Sequence, residues 1–156
     1  MRRVLVILWL GVIALGSFGL VGEARLIGVG GGALIDVTGV LGSSVPVIPI
    51  IRLSVGILFV GADLDLWFLS NSTQLVPSGA IRLSVLSLIE LYGAIAPLSF
   101  QFSPMVQTIP RTTIRWGANL NFGLISLFGE LVTFAQWSWP VVWQGPGMGL
   151  GVQVGF

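Results

Sequence analysis

The chain has no cysteine, no histidine and no lysine, and its only charged side chains are seven arginines and six acids among 156 residues. Without cysteine there are no disulfides and no thiol chemistry. Without histidine there is no imidazole to move protons near neutral pH, and the two absences together remove the commonest transition-metal ligands. A net charge of +1 with no basic run leaves no electrostatic footprint for nucleic acid. Charged residues make up 8% of the chain, against about 25% in an average soluble domain, which argues against a water-exposed globule. What fills the chain instead is apolar: 54% of residues, with 22 glycines and six tryptophans. That composition points to a membrane.

The first 24 residues read as a secretory signal peptide, with Arg2 and Arg3 as its charged start and Val4 to Phe18 as its apolar stretch. Gly22-Glu23-Ala24 is the small-residue cleavage region, so residues 25–156 form the expected mature domain, beginning at Arg25. The alternative is a first transmembrane helix, because Val4 to Val21 carries no charge and approaches spanning length.

Two architectures can cross a bilayer, helices or a closed barrel. Hydropathy alone suggests a small polytopic helical inner-membrane protein. The period of the polar residues favours strands. In Ala62-Asp63-Leu64-Asp65-Leu66-Trp67-Phe68 the acids are two residues apart. On a helix they point about 200° apart, so one faces lipid, at a cost of roughly 2.5–3.5 kcal/mol for a central Asp. On a strand they share a face, and Leu64, Leu66 and Phe68 take the other. The segment Ile114 to Phe122 alternates in the same way, with Arg115, Gly117, Asn119 and Asn121 on one side. The predicted fold class is all-β, a transmembrane antiparallel up-and-down β-barrel of about eight strands.

An internal repeat supports strands of even spacing: Ile51-Arg52-Leu53-Ser54-Val55 returns as Ile81-Arg82-Leu83-Ser84-Val85, with a degenerate copy at Ile114-Arg115. Each arginine precedes an acid, Asp63, Glu90 or Glu130 respectively, at a distance that puts the two on neighbouring strands. The expected lumen network is therefore Arg52, Arg82 and Arg115 with Asp63, Asp65, Glu90 and Glu130. Acid/base catalysis by the Asp63–Asp65 pair is the lesser reading, since structural ion pairs also use such spacings.

Strands are expected near 25–38, 46–58, 61–69, 79–87, 89–102, 112–122, 124–136 and 147–156. Tight turns then alternate with longer connections at 39–45, 70–78, 103–111 and 137–146, as in outer-membrane barrels. Pro97 falls inside the fifth strand and predicts a bulge or kink there. Trp67, Phe68, Phe100, Phe102, Trp116, Trp137 and Trp139 fall near one end of the strands, and Phe59, Tyr92, Phe122 and Phe156 near the other, as two aromatic girdles. Gly28-Val29-Gly30-Gly31-Gly32-Ala33 fits a dinucleotide-binding pattern, but no strand-turn-helix context surrounds it, and small residues packing closely in a strand explain it better.

The last residues, Met148-Gly149-Leu150-Gly151-Val152-Gln153-Val154-Gly155-Phe156, alternate small or polar with apolar and stop on Phe. This resembles the C-terminal signal of bacterial outer-membrane barrels, and the mature chain resembles the general class of the OmpA, OmpX and OmpW membrane domains. The resemblance implies a bacterial outer-membrane location, membrane lipid and the barrel-assembly machinery as partners, and Phe156 as the assembly signal. Small barrels that resemble lipid A deacylases or acyltransferases use a histidine, so those constellations are excluded here; neither an enzyme nor a bound cofactor is expected.

The expected function is a structural or accessory outer-membrane barrel that contacts another envelope component, in a possible outer-membrane complex. Its candidate contact surface is the apolar set Trp137, Trp139, Trp143, Met105 and Ile109, in segments too apolar to serve water alone. Residence in the outer-leaflet interface explains the same residues, and a narrow channel for a small molecule or ion is the alternative function.

Overall fold

Alternating inward and outward residues dominate the strands of the computed structural model, which describes residues 27–36, 47–85, 88–103, 105–137 and 140–155. The signal-peptide reading at 1–24, Arg25, the connection at 39–45, Trp139 and Phe156 lie outside or largely outside the described residues. Ten strands are formed: β1 (Ile27–Ile35), β2 (Val47–Ile57), β3 (Val60–Phe68), β4 (Thr73–Val85), β5 (Ile89–Ala96), β6 (Ser99–Ser103), β7 (Met105–Ile109), β8 (Arg111–Phe122), β9 (Ile125–Gln136) and β10 (Val142–Gly155). Among the described residues there is no helix, so the helical bundle that hydropathy suggests is not formed.

Eight strands close into an antiparallel barrel in the order β1-β2-β3-β4-β5-β8-β9-β10, with β10 returning to β1. Closure follows from the chemistry of the wall. On β2, Ile48, Ile50, Arg52 and Ser54 are buried inside while Val47, Ile51, Leu53, Val55 and Ile57 are exposed outside. On β9, Ser126, Phe128, Glu130, Val132 and Phe134 point in, and Ile125, Leu127 and Leu131 point out. An open sheet with this pattern would leave its charged face uncovered; rolling it up gives every inward charge a partner. At the turn end, Leu58–Phe59 and Gly123–Leu124 reverse the chain in two residues, with Leu58 at φ 57° and Gly123 at φ 67°, the left-handed geometry that tight hairpins favour.

The inner wall of β1 and β10 is built largely of glycine, and bulky side chains from the neighbouring strand β9 occupy the space. A Cβ on Gly151 would lie 2.4 Å from the Phe128 ring and 2.5 Å from the Gly31 carbonyl oxygen; one on Gly149 would lie 2.8 Å from Glu130 Cγ. Glycine is required here by close approach rather than by dihedral angle.

Several sequence expectations are corrected. β4 starts at Thr73 rather than at 79, so the connection after β3 spans only 69–72. Pro77 is tolerated because β4 changes neighbour around it: Thr73–Leu75 pair with β6, and Gly79–Val85 with β5. β10 likewise starts at Val142, passing Pro146 by a bulge between Gln144 and Gly147. The 103–111 segment is not a loop but holds β7, which pairs with β6 as a hairpin outside the ring of eight. The fifth strand does break at Pro97, into β5 and β6. Two aromatic residues assigned to the girdles face inward: Trp67 is 1% and Tyr92 6% exposed, because each lies two residues from a lumen acid and shares its face.

Candidate functional site

The lumen is layered along the barrel axis. Nearest the β6–β7 hairpin lies an apolar plug of Leu34, Ile48, Ile50, Trp67, Val76, Ala96, Val132 and Phe134, with Phe128 below it. Trp67 and Phe134 meet edge to face, with ring centroids 6.1 Å apart. The middle layer is a charged belt, and the turn end is a small polar mouth.

The belt is assembled by strand register. Arg52 on β2 is the direct cross-strand partner of Asp65 on β3. Its guanidinium donates from Nε to Asp65 Oδ1 at 2.8 Å and from Nη2 to Oδ2 at 2.9 Å, a two-pronged contact. The same Nη2 reaches Glu130 Oε1 at 2.7 Å, and the guanidinium carbon sits 4.6 Å from the centre of the Phe128 ring. Arg115 on β8 lies between the two aspartates. It donates from Nη1 to Asp65 Oδ2 at 2.6 Å and from Nη2 to Asp63 Oδ2 at 3.1 Å and to Ser78 Oγ. Tyr92 Oη donates to Glu130 Oε2 at 2.5 Å. Arg82 on β4 donates to Asp63 and, at 3.3 Å, to Glu90 Oε1, which also accepts from Asn119 Nδ2 at 2.6 Å.

All seven charged residues expected in the lumen are thus in one connected network. Arg52, Asp63, Asp65, Arg115 and Glu130 are buried; Arg82 and Glu90, at the turn end, keep side-chain exposures of 14% and 17%. In so dry a site each charge depends on its partners, since an unpaired buried ion costs several kcal/mol. The arrangement leaves Asp63 and Asp65 sharing the guanidinium of Arg115, which is the geometry of a structural clamp. Tyr92, Ser78 and Phe128 were not singled out as lumen residues by sequence. The signal was present in parity: Tyr92 is two residues from Glu90, and Phe128 two from Glu130.

Beneath the belt, Ser54, Arg82, Glu90, Asn119, Asn121, Ser126 and Gln153 line a cavity of about 20 Å³. That is room for about one water molecule. No cluster of three or more potential metal-ligating side chains occurs among the described residues.

The candidate contact residues sit at the opposite end. Met105 and Val106 are 72% and 64% exposed on the hairpin, whereas Ile109 is half-buried. Trp137, just past β9, and Trp143, at the start of β10, are also exposed. Trp137 Nε1 donates to Thr112 Oγ1 at 2.7 Å, and Thr112 Oγ1 donates to the Pro97 carbonyl at 3.3 Å, which ties this tryptophan to the break between β5 and β6. Trp139 lies outside the described residues. No family model, no curated protein and no solved structure matches the chain.

Proposed function

We propose that this barrel spans the bacterial outer membrane as a sealed structural or accessory component, and that its outer rim contacts another envelope component. One observation carries the reading: the barrel is inverted relative to a soluble protein, with its charges inside and an apolar skin outside. Ile51, Leu53, Leu83, Leu91, Ile95, Leu127, Leu131, Leu150 and Val152 are all outward and exposed, on five different strands. Water would have to cover that skin at about 25 cal/mol for each Å² of apolar surface, whereas lipid covers it without cost. The strands of the ring are 8 to 14 residues long. A tilted strand needs about 9–11 residues to cross a bilayer.

The sealed lumen supports an accessory role over a conduit. A narrow channel would need a continuous polar path, and the apolar plug and the ion-paired belt both interrupt it. The exposed apolar residues of the rim, Met105, Val106, Trp137 and Trp143, are what a contact surface would offer.

Expression in a Gram-negative host followed by membrane fractionation tests the reading. The folded chain should appear in the outer-membrane fraction, run as a compact band on unheated gels that shifts on boiling, and give no steady conductance in planar bilayers. Recovery in the soluble or inner-membrane fraction would overturn the location. Discrete conductance steps would favour the channel.

A further inference from the structure

The charged belt is not neutral. It joins three guanidiniums, Arg52, Arg82 and Arg115, to four carboxylates, Asp63, Asp65, Glu90 and Glu130, which leaves one negative charge in excess. That excess has a place. Asp63 meets Arg82 and Arg115, and Asp65 meets Arg52 and Arg115. Glu130 lies 2.7 Å from Arg52 and 3.7 Å from Arg115, and Tyr92 donates to its Oε2. Glu90 is the one acid of the four with a single guanidinium, that of Arg82 at 3.3 Å. Its Oε1 accepts from Arg82 and Asn119, and its Oε2 accepts no hydrogen bond among the described residues.

The small cavity at the turn end adjoins this carboxylate, and Ser54 lines it from the β2 wall. Ser54 is 5% exposed, and its Oγ has no hydrogen-bond partner. A buried hydroxyl left unpaired is costly, so an orphan oxygen beside an under-compensated carboxylate marks a place for a ligand. Arg82 also borders the cavity, but both its terminal nitrogens are turned to acids, one to Glu90 and the other to Asp63. Its Nε, which has no hydrogen-bond partner, lies against Gly61, 3.0 Å from where a Cβ on that residue would stand, and Gly61 is not part of the cavity lining.

We infer that the turn-end mouth binds one alkali-metal cation, sodium or potassium, between Glu90 and Ser54. Charge selects the class of ligand. One positive charge makes the belt neutral, a water molecule would satisfy Ser54 and leave the excess charge in place, and an anion would add to it. The donor set agrees, because it is all oxygen: Glu90 Oε2, a lone pair of Ser54 Oγ, and the amide oxygens that Asn121 and Gln153 can turn to the cavity they line. Size excludes the divalent ions. About 20 Å³ admits one water-sized particle, so a magnesium ion could not keep the waters it holds so firmly. Calcium takes six to eight oxygens, commonly from several carboxylates, and no cluster of three acidic side chains occurs among the described residues.

The test uses the full chain folded in detergent micelles at neutral pH and unfolded with urea. Sodium, potassium and tetramethylammonium chlorides are compared at one ionic strength, so that screening is constant. At ten times its dissociation constant sodium or potassium should raise the folded-to-unfolded ratio about elevenfold over tetramethylammonium, which is too large for the cavity. Glu90→Gln makes the belt neutral without an ion, so this variant should be equally stable in all three salts. Ser54→Ala keeps the carboxylate and should need a severalfold higher salt concentration for half of the effect. Crystals grown in rubidium chloride should show the anomalous signal of rubidium between Glu90 and Ser54, a readout that depends on no variant folding. Equal stability of the unaltered chain in the three salts would overturn the inference, as would the absence of rubidium from the cavity. So would a stability that ignores the salt, rises as the pH falls through the carboxylate range and loses that rise in Glu90→Gln, because the occupant is then a proton. These readouts concern the lumen alone and do not depend on the membrane in which the barrel resides.

Discussion

At the scale of single residues, which side of the wall a charge faces matters more than which strand carries it. Arg115 donates to Asp63, Asp65 and Ser78 and is 1% exposed, so removing its guanidinium takes one of the partners from each of two carboxylates in a dry interior. Arg115→Met should cost about 3–5 kcal/mol, the range for breaking one side of a buried ion pair. Arg82→Met should cost distinctly less, because Arg82 and its partner Glu90 sit at the polar mouth where water can reach them. Urea titrations in lipid vesicles, followed by tryptophan fluorescence, measure both; equal losses would contradict the layering. Tyr92→Phe removes one donor to Glu130 Oε2 and little volume, so it should cost about 1.5–3 kcal/mol on the same assay, the worth of a hydrogen bond to a charged group. These charged positions were legible in the sequence because acids two residues apart have one consistent strand reading. Trp67 and Tyr92 depart from the girdle expectation for a physical reason. Aromatic residues suit both the membrane interface and a packed interior, and only their parity with Asp65 and Glu90 separates the two.

Elements are set by two kinds of residue that sequence signals treat alike. Glycine marks both open and crowded positions here. A Cβ on outward Gly79 meets nothing within 4 Å, whereas one on inward Gly151 meets the Phe128 ring and the Gly31 carbonyl. Gly79→Ala should fold with wild-type yield and equal or slightly higher stability. Gly151→Ala should lose most of the heat-shiftable band, and Phe128→Leu should not fully restore it because the backbone contact remains. Proline marks both a strand's end and a strand's change of neighbour. Its reading as an end is why β4 was expected to begin after Pro77 and β10 after Pro146. The β7 strand escaped for the same reason, lying between two prolines in a segment that reads as loop. A proline that occupies a position with no partner on one side removes no ladder bond, and nothing in the local sequence announces that.

For the whole molecule, closure and sealing are separate properties. The ring closes through backbone pairing of β10 with β1 and of β3 with β4, while the seal comes from two stacked layers of side chains. Trp67→Ala/Phe134→Ala should therefore destabilise the barrel by several kcal/mol through the cavity it leaves, yet keep planar bilayers silent, since the belt of Arg52, Arg115, Asp63, Asp65 and Glu130 still crosses the lumen. Conductance steps from that variant would mean the plug alone does the sealing. The glycine-lined wall of β1 and β10 also bears on how such a chain can drift over generations. Its inner glycines accept almost nothing, because the space a new side chain needs is already occupied by the backbone of the paired strand and by Phe128 and Glu130 on β9. The outer positions of the same strands accept almost any apolar residue. Saturation mutagenesis scored by folded yield should show a two-residue stripe of intolerance, steepest at Gly32, Gly149 and Gly151 and flat at Val29, Leu150 and Val152. Lineages carrying this barrel would then diverge freely on the outside while the first and last strands keep their inward glycines.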